Sequence, residues 1–165
     1  MVGHWTDVYM RGASFDLGSQ ILRSSSYFDL SETQKLAITE YKPPTVDKAY
    51  GSAPYYILLR MNDLSTLTLN QCNNLPFIFA LNPVQNPSKC TLCPKLEEII
   101  IYVKDLKSFN ITELTSMAKE RASAGKQLSS ITIFCLGELA PRKDVFKLKE
   151  YVKRVHYMAR EKSLR

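Results

Sequence analysis

Three stretches of this chain repeat one pattern at a constant offset, from position 64 to 96 to 128. Leu64, Leu67 and Leu69 stand where Leu96, Ile99 and Ile101 stand in the next stretch, and where Leu128, Ile131 and Ile133 stand in the one after. Each triplet reads apolar-x-x-apolar-x-apolar. Its last two members stand at alternate positions, which puts them on one face of a β-strand. A fixed period of this size belongs to repeat architectures, in which one supersecondary unit recurs and buries its apolar face against its neighbours. The full pattern L-x-x-L-x-L-x-x-C occurs once, at Leu64, Leu67, Leu69 and Cys72, and matches the strand motif of a leucine-rich repeat.

The pattern continues in weaker form on both sides. Thr33, Leu36 and Ile38 repeat it upstream at nearly the same offset, and Trp5, Val8 and Met10 repeat it again at a slightly shorter one. Val152, Val155 and Tyr157 follow the last clear triplet at a shorter offset still. The expected fold is therefore α/β: a leucine-rich-repeat solenoid of about five to six repeats, with a parallel inner sheet and outer helices. Residues 1–158 are expected to form that domain and 159–165 a basic C-terminal tail.

Helical segments fall between the triplets. The clearest spans 111–124. Asn110 suits the N-cap, and Glu113 three residues later gives a capping-box spacing. Leu114, Met117 and Ala118 form an apolar stripe, and Gly125 supplies the stop. Further helices are expected at 17–23, at 52–61 with Pro54 near its start, and at 74–81, ended by Asn82-Pro83. One more begins at Pro141 and carries Val145, Leu148 and Val152 at helical spacing. Two connections are long, proline-rich and polar, 41–51 and 82–94, and read as surface loops.

Length and composition fit a single domain. The 165 residues are 45% hydrophobic, enough to bury a core. No apolar run approaches the roughly 20 residues that span a bilayer. The first residues show no basic segment followed by an apolar one, so no signal peptide and a cytoplasmic or nuclear location are expected. Four cysteines are then expected to be reduced thiols, and the sequon Asn110-Ile111-Thr112 idle. The net charge of +6 is confined to one end: residues 142–165 carry nine basic and three acidic side chains, and residues 1–141 are balanced. Such a segment can contact phosphates, but no aromatic residues are interleaved for base stacking, and a solvated last helix is the favoured reading.

Chemistry-bearing constellations are sparse. Cys90-Thr-Leu-Cys93 is half of a zinc site, and Cys72, Cys135, His4 and His156 show no second pair at ligand spacing. The cysteines are read as ordinary loop and core residues, and replacing Cys90 and Cys93 by serine is expected to leave thermal stability unchanged. No metal and no cofactor is expected. The two histidines fit no triad, zincin or nucleophile elbow, and the six glycines form no phosphate loop. Glu97 and Glu98 are adjacent, so a strand would turn them to opposite faces. No enzyme is expected.

What remains is the inner surface of the sheet. Residues between the core positions are Thr66, Thr68 and Asn70, then Glu98, Ile100 and Tyr102, then Ser130, Thr132 and Phe134. Lys35, Ala37 and Thr39 extend the surface upstream, and Arg154, His156 and Met158 downstream. The expected protein-binding set is Thr68, Asn70, Glu98, Ile100, Tyr102, Thr132 and Phe134. Apolar and aromatic side chains side by side on an accessible sheet mark an interface centre, the alternative being a lid or neighbouring segment that covers them.

The residues also carry a family resemblance. The runs 64–78 (LSTLTLNQCNNLPFI), 93–100 (CPKLEEII), 109–123 (FNITELTSMAKERAS), 128–133 (LSSITI) and 136–141 (LGELAP) resemble the C-terminal repeats of fungal F-box proteins from mushroom-forming species. The resemblance implies the substrate-recognition half of an SCF-type ubiquitin ligase subunit. In that plan an F-box grips the Skp adaptor and its cullin, and the repeats grip the protein to be modified. The chain departs from it in showing no F-box ahead of the repeats, so adaptor and cullin are expected as partners only if one lies upstream. No catalytic residue and no defined substrate follow from the resemblance. The alternatives are a free-standing repeat scaffold that binds a protein without ubiquitin chemistry, and a nucleic-acid-associated protein working through 142–165. No membrane partner is expected.

Overall fold

The structure is a computed structural model. It describes residues 7–11, 30–39, 52–70, 74–86, 88–104, 106, 109–136 and 143–159, with the backbone alone for 7–11, 52 and 53. The expectations at Trp5, 17–23, 41–51, Cys72, Pro141 and 160–165 lie outside these residues.

Among the described residues, six strands form one parallel sheet whose spatial order is the chain order. They are β1 Asp7–Arg11, β2 Lys35–Thr39, β3 Thr66–Asn70, β4 Glu98–Val103, β5 Ser130–Cys135 and β6 Arg154–Ala159. The helices among the described residues are α1 Ser52–Leu59, α2 Leu75–Leu81, α3 Ile111–Ser123 and the short α4 Lys143–Lys147, which runs into a 3-10 turn at Leu148–Glu150. Parallel neighbours require a long crossover, and from β2 to β6 the described part of each crossover contains a helix.

The register follows the sequence period. Val8, Leu36, Leu67, Ile99, Ile131 and Val155 form one row of paired residues across the sheet, and Met10, Ile38, Leu69, Ile101, Ile133 and Tyr157 another. All six triplets, including the weakly patterned Trp5/Val8/Met10, thus have their second and third positions in register. From β2 to β5 those positions are buried and share one core with the helices, through Ile57, Leu58, Phe77, Ile78, Leu114 and Met117.

The turns ahead of the strands repeat as well. The carbonyls of Leu30, Met61 and Cys93 accept from the amides of Thr33, Leu64 and Leu96 at 3.1, 3.3 and 2.9 Å. The carbonyl of Gln34 then accepts from Ser65 and Thr66, that of Ser65 from Glu97 and Glu98, and that of Glu97 from Ser129 and Ser130. Each unit satisfies the backbone of the next, as buried polar groups require. Thr33 fills the first apolar position of its triplet and is buried there.

Helix ends follow their local chemistry where caps are strong. The Asn110 side chain accepts from the Glu113 amide at 3.3 Å. The reciprocal half of the capping box is absent, because the Glu113 carboxylate accepts instead from Gln85 Nε2 at 3.2 Å. At the other end Lys126 N–H bonds Arg121 O at 2.8 Å and Gly125 N–H bonds Ala122 O at 3.0 Å, the Schellman pairing. It needs a left-handed residue, and Gly125 takes it at φ +71°.

Two helices are shorter than expected. α1 stops at Leu59, because Arg60 and Met61 donate to Ile57 and Leu58, three residues back rather than four. That tightening places Met61 in the core beyond the helix. α4 and its 3-10 turn end before Val152, which is buried as the first position of the last triplet rather than as part of a helical stripe. The expected domain boundary at 158 falls inside β6, which runs to Ala159.

The connection 82–94 is less of a surface loop than its composition implies. Asn82, Asn86, Leu92 and Cys93 are buried. Asn82 accepts from the Val84 amide and donates to Ser116, while Asn86 donates to Cys90 O at 2.7 Å and accepts from Ser88. The polar residues satisfy one another, so the segment packs.

Candidate functional site: the outward sheet face

From β2 to β6, the described face turned away from the helices forms three rows. One runs Lys35, Thr66, Glu98, Ser130, Arg154; the next Ala37, Thr68, Ile100, Thr132, His156; the third Thr39, Asn70, Tyr102, Phe134, Met158. Every expected binding residue occupies its expected row. In-register parallel strands hold row neighbours about 4.8 Å apart. Flat side chains at such positions stack, and the Tyr102 and Phe134 rings do so, with centroids 4.5 Å apart and planes 5° apart.

Exposure is less uniform than expected. Thr68, Asn70, Glu98, Ile100, Tyr102 and Phe134 are half-buried, and Thr132 is buried at 8% exposure. Thr132 stands in register between Ile100 and His156 and is buried there. Its expected role as an accessible contact is corrected on that ground. Met158 is 48% exposed at the end of the aromatic row, and Lys35, Arg154 and His156 are exposed. Glu98 is held in place: its Oε1 accepts from Ser130 Oγ at 3.2 Å. Glu97 lies just before β4 and is exposed.

The C-x-x-C pair is split between surface and core. Cys90 is exposed, with its Sγ 2.8 Å from Ser88 Oγ. Cys93 is buried, sits at φ +48°, and donates to Leu58 O at 3.3 Å. Burial pushes its thiol up to about 12, partly offset by the Arg121 guanidinium. Among the described residues no group of three His, Cys, Asp or Glu side chains could hold a metal ion. No helix among them is long and apolar enough to cross a membrane.

Arg121 is the residue that sequence reading missed. It is fully buried on α3, donating from Nη1 to Leu92 O at 2.8 Å and from Nη2 to Cys93 O at 3.0 Å. Its Nε has no partner, and burial lowers its pKa to about 10. The available signal was position: the stripe of Leu114, Met117 and Ala118 reaches 121 at the next helical step. The fork clamps the turn that leads into β4.

Cys93 gives a pH-dependent prediction. Its folded pKa lies above the ordinary value of 9.0. The unfolded chain therefore releases this proton first, and stability is full below pH 9 and falls as pH rises toward about 12. Between pH 9 and 10 the parent should lose about 1 kcal/mol more than Cys93→Ala. Arg121 acts in the opposite sense above pH 10, where the folded form releases its proton first. Urea midpoints across this range would check the difference, and parallel curves would contradict it. Because Cys93 is buried, Cys93→Ser should destabilise rather than leave stability unchanged, as it exchanges an apolar thiol for a more polar hydroxyl in the core.

Comparison of the chain with protein-family models, with curated proteins and with solved structures finds no match in any of the three.

Proposed function

We propose that this chain is a leucine-rich-repeat solenoid that binds a protein partner on the outward face of its sheet. Its proposed place is that of the substrate-recognition half of a fungal F-box protein. The observation that carries the reading is the stacked Tyr102–Phe134 pair, set beside Ile100 and Met158 on the face opposite the helices. The recurrence of the same turn and strand hydrogen bonds from one unit to the next supports the repeat class. Half-buried aromatic side chains on a rigid sheet suit recognition, because they give large contact area at small cost in conformational entropy. The sequence runs quoted above support the ligase setting, in which the adaptor and cullin join only through an F-box outside this chain.

The test is differential capture. The purified chain, Tyr102→Ala, Phe134→Ala and a Lys149→Glu/Lys153→Glu double variant are used as parallel baits, with quantitative mass spectrometry of what each retains. A partner held by the parent should fall at least tenfold on both aromatic variants, as loss of a central anchor implies, and persist on the charge reversals. If the reversals abolish capture and the aromatic truncations do nothing, the basic segment replaces the sheet face as the binding site.

A further inference from the structure

Among the described side chains from β2 to β6, the outward face is basic on balance, with exposed Lys35 at one end of its first row and exposed Arg154 at the other. Residues 151–159 contain Lys153, Arg154 and His156 and no acidic residue. All three side chains are exposed, and Arg154 and His156 stand in the rows that also hold Glu98 and Ile100. Glu98 is the only acidic side chain described in the rows from β2 to β6, and one of its oxygens already accepts from Ser130. Neither Lys153 nor Arg154 makes an ion pair among the described residues. The aromatic row runs into this same strand, from Tyr102 and Phe134 to Met158.

We infer that the partner segment carries an apolar or aromatic anchor and a carboxylate displaced from it toward the start of β6. This rests on the proposed use of the sheet face and adds the chemistry of its partner. The anchor packs on the Tyr102–Phe134 stack, and the carboxylate meets Arg154. The spacing follows from sheet geometry. Phe134 and Arg154 are one strand and four residues apart in register. At about 4.8 Å per strand and 3.3 Å per residue this is roughly 14 Å, or about four residues of extended chain. The guanidinium fork suits a carboxylate in two-point contact.

The experiment is selection of a random peptide library displayed on phage against the intact chain, with parallel selections on Tyr102→Ala, Arg154→Glu and, as a control, Lys126→Glu. Enriched peptides should combine an apolar or aromatic residue with Asp or Glu three to five residues away. On Arg154→Glu the acidic preference should disappear, and the Kd of a synthetic copy of the best peptide should rise roughly tenfold. Lys126→Glu should leave both unchanged. Arg154 is exposed, so its reversal should keep the unfolding midpoint of the parent. Enrichment that depends on Tyr102 but shows no acidic preference would overturn this inference and leave the face reading intact. Failure to enrich any peptide sensitive to Tyr102→Ala would overturn both.

Discussion

Ile99→Ala and Ile131→Ala should each lower the free energy of unfolding by about 2–5 kcal/mol, the range for buried aliphatic truncations. Both residues are at most 1% exposed and are paired directly across β4 and β5. Ile99 is flanked in the row by the core residue Leu67, and Ile131 by Val155, which is half-buried and packs against the core. The strands are held by hydrogen bonds to both neighbours, so collapse around the hole is limited and the upper part of the range is favoured. Because the two sites touch, the double variant should depart from additivity by at least about 0.5 kcal/mol. Urea denaturation with an unchanged slope is the measurement. If both single variants keep the parent's midpoint, these residues are not core and the register is wrong.

Arg121→Ala should be comparably damaging, by about 3 kcal/mol or more. It removes two charge-assisted hydrogen bonds and leaves the carbonyls of Leu92 and Cys93 without those donors. It also empties the volume of a fully buried side chain. Against this stands relief from burying a cation with no carboxylate beside it, the origin of its lowered pKa. Removing a donor from buried acceptors costs more than the relief returns, which fixes the sign. Arg121→Lys should recover little, because one ammonium cannot reproduce a planar fork across two successive carbonyls. If Arg121→Lys is as stable as the parent in thermal unfolding, the clamp is not a fork.

The sheet was legible in the sequence because its signal is periodic. A constant offset between triplets assigns every core position at once, and even the weak Trp5/Val8/Met10 triplet has Val8 and Met10 in register with Leu36 and Ile38. The ends of α3 were legible because Asn110 and Gly125 act on their own backbone neighbourhood. What escaped depends on partners far away in the chain. The Glu113 carboxylate turns to Gln85, well outside its own helix, and Arg121 reaches back to Leu92 over a similar span. The packing of 82–94 looked loose because its composition is polar, yet those polar groups bond one another and Ser116. Thr132 was read as accessible from its strand position alone, yet that position is buried. For the candidate site, the rows were legible and the degree of exposure was not.

The most direct test of the binding face pairs affinity with stability in Tyr102→Ala. Isothermal titration with a ligand selected on the parent is run beside urea denaturation of both proteins. Tyr102 is half-buried rather than core, so its truncation should leave the fold in place. The predicted result is a loss of about 2 kcal/mol or more in binding free energy, roughly 30-fold in Kd, as for a central interface anchor. The unfolding transition should remain single and cooperative in the variant. An unchanged Kd in a folded Tyr102→Ala protein would contradict the account.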